Sequence, residues 1–297
     1  AATLVAHGHL AQGTDRAGQP RGLYCGMGVC HDCLVTIDGA LSRRACLTRV
    51  ADGMRVERQT TGRLDVRPDA ADLAPLRQAP ASLRHADVLV IGAGPGGLSA
   101  ALAARRAGLD VLVLDERPAP GGQFYKQPLA TQGGSGPDAQ ARAGRALIDA
   151  VRAAGGVIDS GTLVWGAARD GDGRIEVETF DGTTAARVAA RTLVVATGAY
   201  ERPLVVPGWT LPGVMTAGGV QTLWRSYGVT PGRKVLIAGN GPLNLQVAAE
   251  LLAAGSDVTV LEAAPPPWRH PQRGAALLRA DVGLALGGLM TIARIRR

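Results

Sequence analysis

The chain has 297 residues, 46% hydrophobic and 19% charged, which excludes a disordered, collagen-like or coiled-coil protein and predicts two or three compact domains. Its formal charge of +7 comes from 32 basic residues scattered singly, all arginine except Lys126 and Lys234; with aromatics at 3%, no basic-aromatic face for nucleic acid is expected. No charged start followed by an apolar stretch and a cleavage site directs export, so a cytoplasmic setting is expected.

The first element is a cysteine-bearing module reaching to about Arg63. Cys25, Cys30, Cys33 and Cys46 give C-x4-C-x2-C-x12-C, and the first three match the plant-type [2Fe-2S] spacing. Such a loop must wrap two irons while bringing backbone N–H groups toward sulfur, a path that Gly26 and Gly28 permit. Structural zinc, the alternative, usually presents two closely spaced ligand pairs, and here only Cys30 and Cys33 are so paired. Arg21, Arg43 and Arg44 are placed to offset a cluster's negative charge, and His31 reads as a surface loop residue.

A Pro- and Ala-rich connector follows over residues 64–85. Next, Asp87 to Ile91 reads as a buried strand, Gly92 to Gly97 as a turn, Leu98 to Ala107 as a helix ended by Gly108, and Asp110 to Asp115 as a second strand. Val88 to Ala104 is uncharged, yet its glycines and Pro95 argue for a nucleotide loop and against a membrane span. Gly92, Gly94 and Gly97 fit G-x-G-x-x-G: Gly92 for the tight turn, Gly94 for close approach to a pyrophosphate, Gly97 for helix-on-strand packing. Asp115 ends the second strand where an acid accepts from a ribose hydroxyl, with Glu116 next in line for the role. The loop alone leaves FAD and NAD both open.

Leu163 to Ala167, Arg174 to Phe180 and Arg187 to Ala196, separated by Gly/Asp turns, predict a β-meander inserted in this fold. The first unit then returns. Gly92, Gly94, Pro95, Leu98, Gly108, Asp110, Val111 and Leu114 recur as Gly239, Gly241, Pro242, Leu245, Gly255, Asp257, Val258 and Leu261, every pair 147 residues apart. Two Rossmann-like dinucleotide domains follow. In the second, Asn244 stands where Gly97 stood, and its side chain should push the helix outward and loosen the pyrophosphate seat. Glu262 replaces Asp115 and would repel a 2′-phosphate, so any ligand there should be NAD or another adenosine nucleotide.

The run from Arg21 to Val35, with Arg44-Ala45-Cys46-Leu47-Thr48, resembles the small ferredoxin-like subunits of hydrogen cyanide synthases, opine oxidases and D-hydroxyproline dehydrogenases of bacteria. Asp87 to Glu262 is similar to the larger flavoprotein subunits of those complexes, including Tyr200-Glu201-Arg202-Pro203, Pro207-Gly208 and Pro212-Gly213; the sarcosine oxidase alpha chain resembles the combined layout. Gly121-Gly122-Gln123 and Val194-Val195-Ala196-Thr197-Gly198 resemble segments that lie beside FAD in two-dinucleotide flavoprotein reductases.

The resemblance implies an α/β fold of the two-dinucleotide-binding flavoprotein type preceded by a partial β-grasp ferredoxin-like domain. Its divisions are 1–63 for the [2Fe-2S] domain, 64–85 for the linker, 86–212 for the FAD-binding domain with its meander and 213–297 for the second, NAD-type domain. FAD would be held by Gly92, Gly94, Gly97, Asp115 or Glu116, Gly122, Gln123, Thr197 and Gly198, and the cluster by the four cysteines; Gly239, Gly241 and Glu262 would serve the second nucleotide. Against these families the chain is expected to be a fragment truncated at both ends. The implied function is an electron relay between FAD, [2Fe-2S] and an acceptor, with an amine-oxidising flavoprotein partner, no membrane span of its own, and at most contact with the membrane's inner face through partners. No catalytic base is read from the sequence. The alternative is an NADH-dependent reductase that feeds the cluster.

Overall fold

The computed structural model describes residues 1–60, 83–129, 138–202, 205–239, 241–262 and 282–295, with single positions 272, 275 and 279. Most of the expected linker (64–82), Pro203, Asn240 and most of the stretch 263–281 of the second nucleotide domain lie outside the described residues.

The amino-terminal module opens with α1 (Ala2–Ala6) and builds a five-stranded sheet from β1 (Ala11–Thr14), β2 (Pro20–Gly22), β3 (Leu34–Ile37), β4 (Ala40–Arg44) and β5 (Val56–Thr60), in the order β2-β1-β5-β3-β4. Asp38 and Gly39 both take positive φ between β3 and β4, a two-residue turn whose twist matches the paired strands. Val35 and Ile37 of β3 bury against Ala2 and Val5 of α1 and against Leu223, far along the chain. This small core is thus completed by a residue from the carboxyl-terminal part of the chain.

The central sheet has six strands: β6 (Arg84–Ile91), β7 (Val111–Asp115), β8 (Val157–Ser160), β9 (Leu163–Arg169), β10 (Ile175–Phe180) and β11 (Ala185–Val195). Their order is β8-β7-β6-β11-β10-β9, the first four parallel and the last three antiparallel. Alternation sorts the side chains. Val88, Val90, Val111 and Val113 pack with Leu98 and Ala101 of α2 (Pro95–Arg106) and with Ile148 and Val151 of α3 (Ala139–Ala153). On the opposite face Leu89, Leu112 and Leu114 pack with Val177, Val188 and Ala190. Each such aliphatic chain, fully buried, contributes about 1.5–3 kcal/mol, and burial on both faces explains why β7 reads as an unbroken apolar run. The meander is continuous with the nucleotide sheet, because β11 pairs in parallel with β6 from Val188 to Val195 and is both the last meander strand and a member of that sheet.

The second unit comprises α4 (Ala217–Tyr227), β12 (Lys234–Ala238), α5 (Pro242–Ala253), β13 (Asp257–Leu261) and α6 (Val282–Ile295), with β12 and β13 parallel. Helices α2 and α5 begin and end 147 residues apart, so the sequence repeat is a structural one. α4 is capped by the Thr216 hydroxyl, which accepts from Gly219 N at 3.1 Å, and stopped by left-handed Gly228. Its Leu223 completes the amino-terminal core while Val220 joins Val247 and Leu251 of α5. Arg225 donates to both carboxylate oxygens of Glu250 and to Gln140 and pairs with Asp138, tying α4 to α5 and to the start of α3.

Candidate functional site: a cysteine loop against a nucleotide cavity

Between β2 and β3 the chain forms no regular element and curls through Gly26 (φ +63) and Gly28 (φ +85), which brings the cysteines together. Cys25 and Cys33 are buried, Cys30 and Cys46 half-buried. Backbone N–H groups point at sulfur: Met27 N donates to Cys25 Sγ at 3.3 Å, the Val29 and Cys30 amides are directed at the same atom, and Asp32 N at Cys30 Sγ. The thiols form two hydrogen-bonded pairs, Cys25 with Cys30 and Cys33 with Cys46. The Cys30 thiol lowers Cys25 to about 5 and the Cys46 thiol lowers Cys33 to about 7, while Cys30 and Cys46, as the donors, are held up.

This donor set fits a dinuclear cluster. Two irons would each take two thiolates, which matches the pairing of Cys25 with Cys30 and of Cys33 with Cys46. The amino-terminal end of α4 backs the loop: Thr216 N donates to Tyr24 O at 3.0 Å, and a Cβ on Gly219 would lie 2.6 Å from Tyr24 O. The close approach sets the positive end of the helix dipole beside the cysteine loop, where it would favour an anionic cluster. Arg44 donates to Gly28 O at 2.9 Å and so braces the loop, whereas Arg21 is paired with Asp15 at 2.7 Å. His31 is exposed in a left-handed turn, the surface role expected of it.

At the carboxyl ends of β6, β7 and β11 opens a cavity of about 580 Å³. It gathers Gly92, Gly94, Asp115, Glu116, Gly122, Gln123, Thr197 and Gly198 from four separate segments. Gly97 is not in its wall. A Cβ there would sit 1.9 Å from Gly92 O, so its place is the contact between α2 and the loop, the packing role read from the sequence. Asp115 Oδ2 accepts from Ala93 N at 2.6 Å and Oδ1 from Arg117 N at 2.8 Å; burial nonetheless raises its carboxyl above the ordinary range. Each oxygen keeps a lone pair for a ligand hydroxyl. Asp115→Asn puts an NH2 against one of those N–H donors and is expected to cost about 1–3 kcal/mol, read as a lower melting temperature together with weaker flavin retention.

Two residues not singled out from the sequence complete the site. Met27, in the cysteine loop, is buried yet lines the nucleotide cavity, and Gln123 Nε2 donates to its Sδ at 2.8 Å and to Ala199 O at 2.9 Å. Lys126, 3% exposed, donates to Gln123 O at 2.8 Å and Gln221 Oε1 at 3.2 Å, and burial lowers its pKa to about 7. Its rarity is a signal, since only one other lysine occurs in the chain.

The second loop stands apart. Gly239, Gly241 and Glu262 do not line this cavity. Asn244 Nδ2 lies 3.0 Å from where a Gly239 Cβ would be, so the helix start leaves room for an amide where the first loop leaves none for a methyl.

Residues 86–279 match the model of the pyridine nucleotide-disulphide oxidoreductase family. The chain belongs to that family. Residues 1–61 match a 2Fe-2S iron-sulfur cluster binding domain. The cofactors of this flavoprotein are therefore FAD and a [2Fe-2S] cluster. Among its relatives, an opine oxidase component from Agrobacterium tumefaciens is 39% identical over 224 residues, 71% of this chain and 43% of that protein. The sarcosine oxidase alpha chain of Rhizobium meliloti is 35% identical over 66% of this chain and 21% of its own length; the hydrogen cyanide synthase component HcnB of Pseudomonas aeruginosa is 34% identical over 70% and 45%. The chain thus spans less than half the length of each of these curated relatives. The L-proline dehydrogenase structure from P. horikoshii matches 88% of this chain and 49% of its own with TM-score 0.70 and 24% identity, a likeness of fold. No described helix is long and apolar enough to cross a membrane.

Proposed function

We propose that the chain is the electron-relay part of a multi-subunit dehydrogenase for amino acids, opines or related amines. The supporting observation is that Met27 belongs at once to the cysteine loop and to the wall of the nucleotide cavity, so that a cluster on the cysteines and a flavin in the cavity would have one residue in common. Cys25, Cys30, Cys33 and Cys46 hold the cluster; Gly92, Gly94, Asp115, Glu116, Gly122, Gln123, Thr197 and Gly198 hold FAD, with Gly97 keeping α2 seated. The boundaries 1–63, 64–85, 86–212 and 213–297 divide the work. Bound FAD accepts two electrons and the cluster passes them on singly. The protein residues fix distance, exclude water and offer hydrogen bonds to sulfur. A separate flavoprotein partner breaks the substrate's C–N bond, and the setting is cytoplasmic. Gly239, Gly241 and Glu262 hold an adenosine nucleotide that is not turned over.

The test is anaerobic. The flavin- and cluster-loaded chain is expected to leave sarcosine, opines and proline unoxidised by itself and to keep its flavin colour when NADH is added. Photoreduced flavin is expected to reduce the cluster. Prompt bleaching by NADH would establish the reductase alternative, and substrate oxidation by the chain alone would remove the need for a partner.

A further inference from the structure

We infer that Met27 is the electron-path residue between the two redox groups, held in place by Gln123, an inference that rests on the relay reading. The path can be followed atom by atom. Cys25 Sγ accepts from the Met27 backbone N–H at 3.3 Å, and the Met27 side chain ends at Sδ, which accepts from Gln123 Nε2 at 2.8 Å. Met27 and Gln123 both line the nucleotide cavity. One residue therefore touches a cluster ligand with its main chain and the flavin cavity with its side chain.

The chemistry of the chain atoms suits this use. Electrons cross packed, bonded atoms far more readily than an empty gap, and a void withdraws the contacts on one side of every atom that lines it. A thioether is polarisable and unbranched, so it fills such a gap, but its rotatable bonds let it wander unless something holds it. Gln123 supplies the hold. Both amide hydrogens are used, one on Met27 Sδ and one on Ala199 O, in the cavity-lining segment that follows β11. Its backbone is held in turn, since Lys126 Nζ donates to Gln123 O. Met27 is 3% exposed, so its side chain is packed within the protein.

The electron count would close: a reduced flavin held in the cavity would give up two electrons one at a time with its protons passing to solvent, and a cluster held by the four cysteines would take each electron at one ferric ion and hand it to a one-electron acceptor before the next.

A laser flash on photoexcited deazariboflavin with EDTA as donor delivers one electron to the loaded chain, and absorbance and EPR follow its arrival at the cluster. Met27→Ala is expected to retain iron, sulfide, flavin and both midpoint potentials yet to slow flavin-to-cluster transfer severalfold. Met27→Leu refills the space and is expected to bring the rate back toward wild type, which a purely structural role would not require. Transfer at the wild-type rate in Met27→Ala, or a slowing that a shifted potential accounts for, overturns the inference. Should that variant lose iron, Gln123→Leu carries the test, because it removes the donor to Sδ and leaves the cysteine loop intact; an unchanged rate there overturns it equally. No transfer in the wild-type chain would overturn the relay reading itself, a result distinct from all of these.

Discussion

Replacing Cys30 by Ser is expected to abolish the reddish-brown absorbance of the cluster while leaving the yellow of the flavin. A serine hydroxyl at neutral pH offers iron a protonated, hard oxygen where the site needs a soft thiolate. Cys30 is the side-chain partner of Cys25, so the substitution would leave a cluster held by these cysteines one thiolate short. The nucleotide cavity is spared, since Cys30 is not in its wall. The amino-terminal module should also loosen, because about 60 residues enclose a marginal core and metal binding contributes folding energy. It should stay docked, for Leu223, Met215 and Tyr227 pack into that core from the other side. Iron and sulfide content, visible absorbance and flavin stoichiometry read the outcome. Normal cluster absorbance in the variant would remove Cys30 from the ligand set.

What the sequence reveals and what it withholds divide along a physical line. The C-x4-C-x2-C spacing and the glycine loop are local patterns whose geometry lies within a few residues, and both are legible. The repeat at offset 147 places α5 from α2 by sequence alone. Contacts made across long separations are not legible: Gln123 reaches Met27 from 96 residues away, and Lys126 reaches Gln221 across 95. A methionine between two cysteine ligands carries no mark that its side chain faces a second site. The partner of the last meander strand is hidden for a related reason. Alternation in Ala185–Val195 reports which faces are buried, not which strand lies alongside, and the parallel partner β6 is about a hundred residues away. Gln123 reads as a cofactor residue from a resemblance. It does line the cavity, yet both its amide hydrogens are used inside the protein, so its service to a ligand falls to Oε1 or the main chain.

Gly97→Val is expected to give the reverse phenotype, a chain that keeps its cluster and loses its flavin. A Cβ at this position meets Gly92 O at 1.9 Å and Gly92 C at 3.1 Å, and both are backbone atoms that cannot rotate aside. Relief requires the first turn of α2 to move off the loop, at about 1–3 kcal/mol for the overpacking. That turn presents the N–H groups that would face a pyrophosphate, so movement which the fold survives is still too large for the ligand. Flavin affinity should fall at least about tenfold, equivalent to about 1.4 kcal/mol, measured as flavin retained after gel filtration against iron retained. The second loop supplies the control. Asn244 holds the equivalent position there with its amide 3.0 Å from a Gly239 Cβ, so Asn244→Gly relieves no clash and should leave flavin and iron content unchanged. Full flavin retention in Gly97→Val would mean that the pyrophosphate seat does not depend on how closely α2 approaches β6.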